Sequence, residues 1–255
     1  MVHSPANWKF SAVVLVAIGF AGPLAAAGTA CPFCPATAQT FSEEFSSMDV
    51  VAIVRLVTLP PKKAKGEEEF GANLHKAKFE VMQIIKGERF ARPKEVIESI
   101  YFGDAKLGAN FLIMGIDPPK VMWSTPLPVS DRAQEYLGKI TKLPKEGSER
   151  LKFFRNYLED ADEMLARDAY DEFAKASYDT VCSLKKQLDH EKLVGWIKDP
   201  NIPASRRRLY LVMLGICGSE QDLPMLEKFL KSEDRKEKSG LDALIACYIT
   251  LKKEA

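Results

Sequence analysis

The chain has 255 residues, which is enough for one large domain or two small ones. Its 36 Lys and Arg residues nearly balance its 35 Asp and Glu residues, so no strong overall charge attracts nucleic acid or an anionic membrane, and neither is an expected partner. The apolar fraction of 46% is that of an ordinary globular protein.

The first thirty residues have the layout of a secretory signal peptide. A weakly positive start precedes an uncharged apolar run at 10–20, and Ala25 and Ala27 form the A-x-A arrangement that signal peptidase reads. The apolar run is shorter than the roughly 20 residues that a membrane-spanning helix needs. We therefore expect cleavage after Ala27 or Ala30, a periplasmic or secreted location, and no transmembrane span after cleavage. Lipidation of Cys31 is the alternative.

The mature chain then begins with a C-x-x-C pair, Cys31 and Cys34. Export places these thiols in a compartment where disulfides persist. We interpret the pair as a structural disulfide or as inert thiols, with a redox pair as the alternative. A short helix is predicted after it, because Pro35 suits a first helical turn and Phe41 and Phe45 are four residues apart. A zinc site needs about four ligands, and no second close pair of Cys or His is present, so neither metal nor cofactor is expected.

The next region is rich in strands and poor in helices. Its best-defined strand alternates apolar residues such as Phe79 and Val81 with charged ones such as Lys78 and Glu80. Five short strands with no helix between most of them predict a small closed or half-closed barrel. The predicted strands are 49–59, 74–85, 95–101, 111–114 and 121–123.

Three strings in this region resemble netrin-like domains, the family that includes tissue inhibitors of metalloproteases. They are MDVVAIV at 48–54, FEVMQIIKG at 79–87 and GANFLI at 108–113. The resemblance implies an OB-type barrel preceded by a cysteine-rich N-terminus. It also implies, as an alternative function, inhibition of a metalloprotease through the amine and carbonyl of a mature N-terminal Cys31.

Two departures from that family pattern weaken the inhibitor alternative. The family begins with C-x-C rather than C-x-x-C, and it pairs those cysteines with others in the barrel. Here no cysteine lies between Cys34 and Cys182.

The chain leaves the barrel through the rigid segment TPLP at 125–128 and is helical in pattern from residue 148 to its end. A connector with one short helix, at about 132–140, is predicted between them. The string at 193–218 resembles a HEAT repeat of the short bacterial type, in which an apolar helix, a Lys-Asp-Pro turn and an Arg near the start of a second helix follow one another. Similar strings at 226–248 and, in degenerate form, at 154–160 indicate about three repeats.

A stack of helical repeats presents a surface to another protein and has no inherent active site. Arg206, Arg207 and Arg208, at the start of one predicted helix, are the candidate interaction surface. The alternative is that one of them packs along the repeat turn and the others are solvated. The remaining cysteines, Cys182, Cys217 and Cys247, lie in helical stretches and are expected to be small buried residues.

These patterns predict an α+β two-domain protein, in which a small OB-like five-stranded β-barrel precedes an all-α HEAT-like repeat stack. The expected segments are a signal peptide at 1–30, the C-x-x-C segment with its short helix at 31–48, the β-domain at 49–125, a connector at 126–147 and the repeats at 148–255.

The predicted function is that of an exported, non-enzymatic protein-interaction module that docks on another extracytoplasmic protein. No nucleophile elbow, Walker-type loop or H-E-x-x-H string occurs, and no catalytic residue is assigned. His190, between Asp189 and Glu191, is interpreted as part of a solvated helix cap. The alternatives are a thiol-redox protein that uses Cys31 and Cys34, or the metalloprotease inhibitor.

Overall fold

The computed structural model describes residues 37–61 and 76–253. These residues form a nearly closed antiparallel sheet followed by a series of helices, so the α+β class predicted from the sequence is confirmed. The strands are β1 Val50–Thr58, β2 Lys76–Lys86, β3 Val96–Ile100, β4 Asn110–Ile116, β5 Met122–Trp123 and β6 Leu127–Pro128. The α-helices are α1 Phe41–Ser47, α2 Asp131–Ile140, α3 Ser148–Phe154, α4 Glu163–Lys175, α5 Tyr178–Cys182, α6 His190–Lys198, α7 Ala204–Cys217, α8 Leu223–Lys231 and α9 Leu241–Lys253. Short 3₁₀ helices are η1 Arg155–Tyr157, η2 Lys185–Gln187 and η3 Glu220–Asp222.

Strands occur at all five predicted positions, with ends that differ from the prediction by two residues at most. The sixth strand, β6, was not predicted and coincides with the segment interpreted as the exit from the barrel. The helices expected after the C-x-x-C pair and in the connector are α1 and α2. The signal peptide and the C-x-x-C pair itself lie outside the described residues.

The sheet has the strand order β3-β2-β1-β4-β5, and β6 pairs with the same side of β4 as β5 does. All of its pairs are antiparallel. The ends of this order approach each other, because the Ser99 hydroxyl at the end of β3 donates to the Ser124 carbonyl just after β5, at 2.8 Å. This contact brings the two edges together and makes the sheet barrel-like.

From Val50 to Val54 both faces of β1 are buried, which explains why this stretch is continuously apolar rather than alternating. One face, with Ala52 and Val54, fills the barrel interior. There Phe79, Tyr101 and Phe111 meet edge to face, with ring centroids 5.4 to 5.9 Å apart. The other face points away from the interior and packs against the helices.

One hydrophobic cluster runs from that outer face of the sheet through the helices. It contains Val51 and Leu112 of the sheet, Phe45 of α1 and Tyr136 of α2, and it continues to Leu251 near the end of α9. The predicted connector is therefore part of the core, because α2 buries one whole face against α3 and α4. Within residues 37–61 and 76–253, no helix has the length and apolar character needed to cross a membrane.

Candidate interaction groove

A groove with a volume of about 470 Å³ lies among the helices, between η1, η2, α6 and α7. Its floor is apolar and formed by Leu158, Leu193 and Met213, all of which are buried. Leu188 and Trp196 are half-buried and form its walls. The rim is polar and carries both charges: Arg155, Asn156, Glu159, Gln187, Asp189 and Lys192. An apolar floor with a few polar groups around it is the usual composition of a binding site.

The local sequence of α6 positions one side of this groove. Asp189 is the N-cap and accepts a hydrogen bond from the Lys192 backbone N–H at 3.1 Å, which fixes where the helix begins. Lys192 and Trp196 are four residues apart and so share the face toward the groove. Leu193 and Ile197, one position further on, are buried in the core.

Tyr210 of α7 packs against Trp196 on the side of the indole that faces away from the groove. Its ring lies 4.8 Å from that of Trp196, centroid to centroid. Its hydroxyl donates to the Glu159 carboxylate and to the Leu158 carbonyl, the latter at 3.2 Å. Burial, together with the bond to Glu159, raises the pKa of the Tyr210 phenol, so it stays a neutral donor. Trp196 is therefore supported by a buried ring that is itself fixed to the groove rim.

Arg206 completes this support. Its side chain is 6% exposed and forms ion pairs with Glu159, at 3.3 Å, and with Glu163. Glu159 thus receives both the Tyr210 hydroxyl and the Arg206 guanidinium, which fixes the carboxylate on the rim of the groove. Because the arginine is buried beneath the rim, it acts as a positioning residue for Glu159.

The other two arginines of the predicted surface point elsewhere. Arg207 is buried, donates to the Lys236 carbonyl at 2.8 Å and lies 4.8 Å from the centre of the Phe229 ring. Burial lowers the pKa of its guanidinium. Arg208 forms an ion pair with Asp242 of α9 at 2.9 Å and is partly exposed. The three arginines therefore do not form one patch. Arg206 and Arg207 are both buried, whereas the sequence-based alternative expected only one of the three to be packed.

His190 follows Asp189, the N-cap of α6, and its side chain is 46% exposed, which agrees with the interpretation as part of a solvated helix cap. It is also paired. Its Nε2 lies 2.8 Å from the Asp222 carboxylate, and Asp222 also accepts the Ser219 backbone N–H at 2.9 Å. Asp189, its neighbour, is the residue that caps α6. The pair links the start of α6 to the start of α8.

Cys31 and Cys34 lie outside the described residues, but the segment that follows them is anchored on α4. The Ala38 backbone N–H donates to Asp171 at 3.2 Å, and the Phe41 backbone N–H donates to Asp168 at 2.8 Å. Both acids are buried. The chain after the C-x-x-C pair is therefore held on the helical part of the protein.

The three cysteines in the helices are free thiols, and Cys247 is buried while Cys182 and Cys217 are half-buried. Burial raises the pKa of the Cys217 thiol and raises that of Cys247 to about 12, so the thiolate form is disfavoured at neutral pH. Among the described residues, no three His, Cys, Asp or Glu side chains are grouped so as to hold a metal ion.

A second, larger cleft of about 710 Å³ lies between α1, the end of β2, and the α2–α3 connection. Arg150 lines it, but its guanidinium is engaged within the protein. It forms an ion pair with Glu172 and donates to the Ser42 hydroxyl at 2.7 Å and the Pro144 carbonyl at 3.1 Å. These contacts join α1, α3 and α4, so we assign Arg150 a structural role.

Comparison with protein-family models gives no match, and comparisons with curated proteins and with solved structures give none either. The groove is therefore interpreted from its own residues. Sequence reasoning identified Arg206 but missed Trp196, Tyr210 and Glu159, because the helical periodicity that predicts α6 and α7 does not indicate which half-buried aromatic side chain lies next to an open groove.

Proposed function

We propose that this chain is an exported, non-enzymatic protein-interaction module, and that the groove between η1, η2, α6 and α7 receives part of another extracytoplasmic protein. The observation that carries the proposal is Trp196, a half-buried indole on the groove wall whose ring packs on Tyr210, which is itself held by Glu159 and Arg206. Aromatic side chains in pockets with polar rims dominate the energetics of protein interfaces.

The rigid support of the wall favours binding. Binding costs conformational entropy when mobile side chains become ordered at the interface. A groove wall that is already fixed by stacking and ion pairs avoids much of that cost. The mixed charges on the rim, Arg155 and Lys192 against Glu159 and Asp189, favour a neutral or mixed-charge partner over a strongly anionic one. We expect the partner to insert one large apolar side chain over Leu193 and Met213.

We further propose that the sheet is an OB-type barrel of the netrin-like kind. The support is the five-strand order with its ends joined by the Ser99–Ser124 hydrogen bond, and the presence of strands at the three strings that carry the resemblance. A partly open five-stranded barrel is the architecture of OB folds.

For the helices we propose about three HEAT-like repeats. The pairs α6–α7 and α8–α9 correspond to the two best-defined strings, and α7 packs against both α6 and α9. Each pair thus buries its apolar face against its neighbour, as the members of a repeat stack do. In this arrangement the groove lies between the first and second repeats.

The proposed docking is tested by photo-crosslinking in the exporting cell. A photoreactive amino acid replaces Lys192, whose side chain is 68% exposed on the groove rim. The matched control replaces Lys120, which is exposed in the loop before β5. We expect one discrete crosslinked protein from position 192 and none from position 120.

Two further substitutions separate groove binding from general surface contact. Trp196→Ala should abolish the crosslink, whereas Phe102→Ala, which removes an aromatic side chain that is 75% exposed on the barrel, should leave it unchanged. Because Glu159 is bonded to the buried Tyr210 and Arg206, the charge reversal Glu159→Lys would also disturb the core. Lys192→Glu is the more informative charge reversal, since it alters only the rim. Equal crosslinking from positions 120 and 192, or a crosslink that survives Trp196→Ala, would contradict the proposal.

A further inference from the structure

We propose that the outer face of α9 is a self-association surface, on which a second copy of this chain packs its own α9 in antiparallel orientation about a two-fold axis. This proposal is independent of the groove and of its partner.

The inner and outer faces of α9 are both apolar, and among residues 37–61 and 76–253 only the inner face is covered. Ala243, Leu244, Cys247 and Leu251 are buried on the inner face. On the outer face Leu241, Ile245 and Ile249 are 42%, 43% and 46% exposed. These three residues are spaced by four and therefore form a continuous row along the helix. Isolated exposed apolar residues are ordinary, but such a row is typical of a surface that has a partner.

The charges at the two ends of α9 indicate what covers this row. Asp242 lies in the first turn, whereas Lys252 and Lys253 lie in the last turn. Asp242 keeps its ion pair with Arg208, yet its side chain remains 47% exposed. The apolar row is therefore flanked by a carboxylate at one end and by two ammonium groups at the other.

A surface with this pattern is complementary to itself when the second copy is antiparallel. Packing about the middle of α9 sets Ile245 against Ile249 of the second copy and Asp242 against its Lys252, and the two-fold axis repeats both contacts. A parallel arrangement would instead place Lys252 and Lys253 beside their equivalents and is disfavoured by like-charge repulsion.

The size of the surface sets the expected strength. A helix of 13 residues is about 20 Å long, so a single helix pair buries less than the roughly 1,200–2,000 Å² of stable interfaces. The association is therefore weak and depends on protein concentration.

Sedimentation velocity on the mature chain, from about 1 µM to about 1 mM, tests the proposal. We expect a reversible shift from monomer to dimer over this range. Ile245→Glu should be monomeric at every concentration. The control Val96→Glu, which introduces the same charge at a residue that is 55% exposed on the barrel, should still dimerise. Monomer at all concentrations, or a dimer that persists in Ile245→Glu, would overturn the proposal.

A charge exchange tests the antiparallel register. Asp242→Lys alone and Lys252→Asp alone should each weaken self-association about tenfold or more, because each variant sets like charges against each other in its own dimer. An equimolar mixture of the two should associate as strongly as the unmodified protein, since each copy then supplies the opposite charge at both contacts. Failure of the mixture to associate, while both variants remain folded by circular dichroism, would exclude this arrangement.

Discussion

Asp168 lies where α1, α2 and α4 meet, and replacing it with Asn should change how stability depends on pH. It is 5% exposed and accepts hydrogen bonds from the Phe41 backbone N–H and from the Tyr136 hydroxyl. Burial raises the pKa of this carboxyl from 3.8 to about 6, and the nearby carboxylates of Glu172 and Asp171 act in the same direction, while the two hydrogen bonds oppose them.

The sign of the effect follows from this raised pKa. Between about pH 4 and pH 6 the folded protein binds a proton at Asp168 more tightly than the unfolded chain does, so the free energy of unfolding falls as the pH rises through this window. A shift of about two pKa units corresponds to about 3 kcal/mol. Above about pH 7 both states have lost the proton, and the contribution of Asp168 no longer changes.

Urea unfolding between about pH 4 and pH 8 measures this contribution. The stability of the unmodified protein minus that of Asp168→Asn should fall by about 2–3 kcal/mol across pH 4–6 and then level off. Asp104→Asn, at an exposed acid of the barrel, is the matched control and should give a difference that does not vary with pH in this way. A difference that instead grows with rising pH would show that Asp168 is stabilised as an ion, and would refute the reasoning.

Three further predictions concern the core and the N-terminus. Arg150→Met should lower the free energy of unfolding in urea by about 3–5 kcal/mol, because it leaves Glu172, which is 8% exposed, without its ion-pair partner. The double variant Arg150→Met with Glu172→Leu should recover most of that loss, and equal losses in the two variants would contradict this prediction. Phe79→Ala should cost about 3–5 kcal/mol by removing the ring that contacts both other aromatic side chains of the barrel interior, and a loss below about 1 kcal/mol would contradict that packing. Intact mass of the exported protein should be two hydrogens lower without reductant than with it, owing to a disulfide between Cys31 and Cys34; equal masses would indicate inert thiols.

The sequence predicts the elements well because their signals are local. The alternation around Phe79 and the apolar run at β1 identify strands, and the apolar string that begins at Leu193 identifies a helix. The sequence of β1 does not reveal why its first five residues, Val50 to Val54, are apolar on both faces of the strand. Its outer face is covered by helices far along the chain, and that contact has no local signature.

The groove could not be predicted for a similar reason. Tyr210 reaches Glu159 across 51 positions of sequence, and the bond exists only because α7 packs beside the residues that follow η1. Arg206 was singled out as a surface residue from its position in a run of three arginines. Tertiary packing buries it beneath Glu159 instead, so the run itself does not indicate a charged surface.

The most direct test of the docking groove is a calorimetric titration of the purified mature protein with the protein crosslinked from position 192. Trp196→Ala should raise the dissociation constant at least about tenfold, as loss of an interface hot spot does, while Phe102→Ala should leave it unchanged. Equal affinities for the unmodified protein and Trp196→Ala would contradict the assignment of the groove as the docking site.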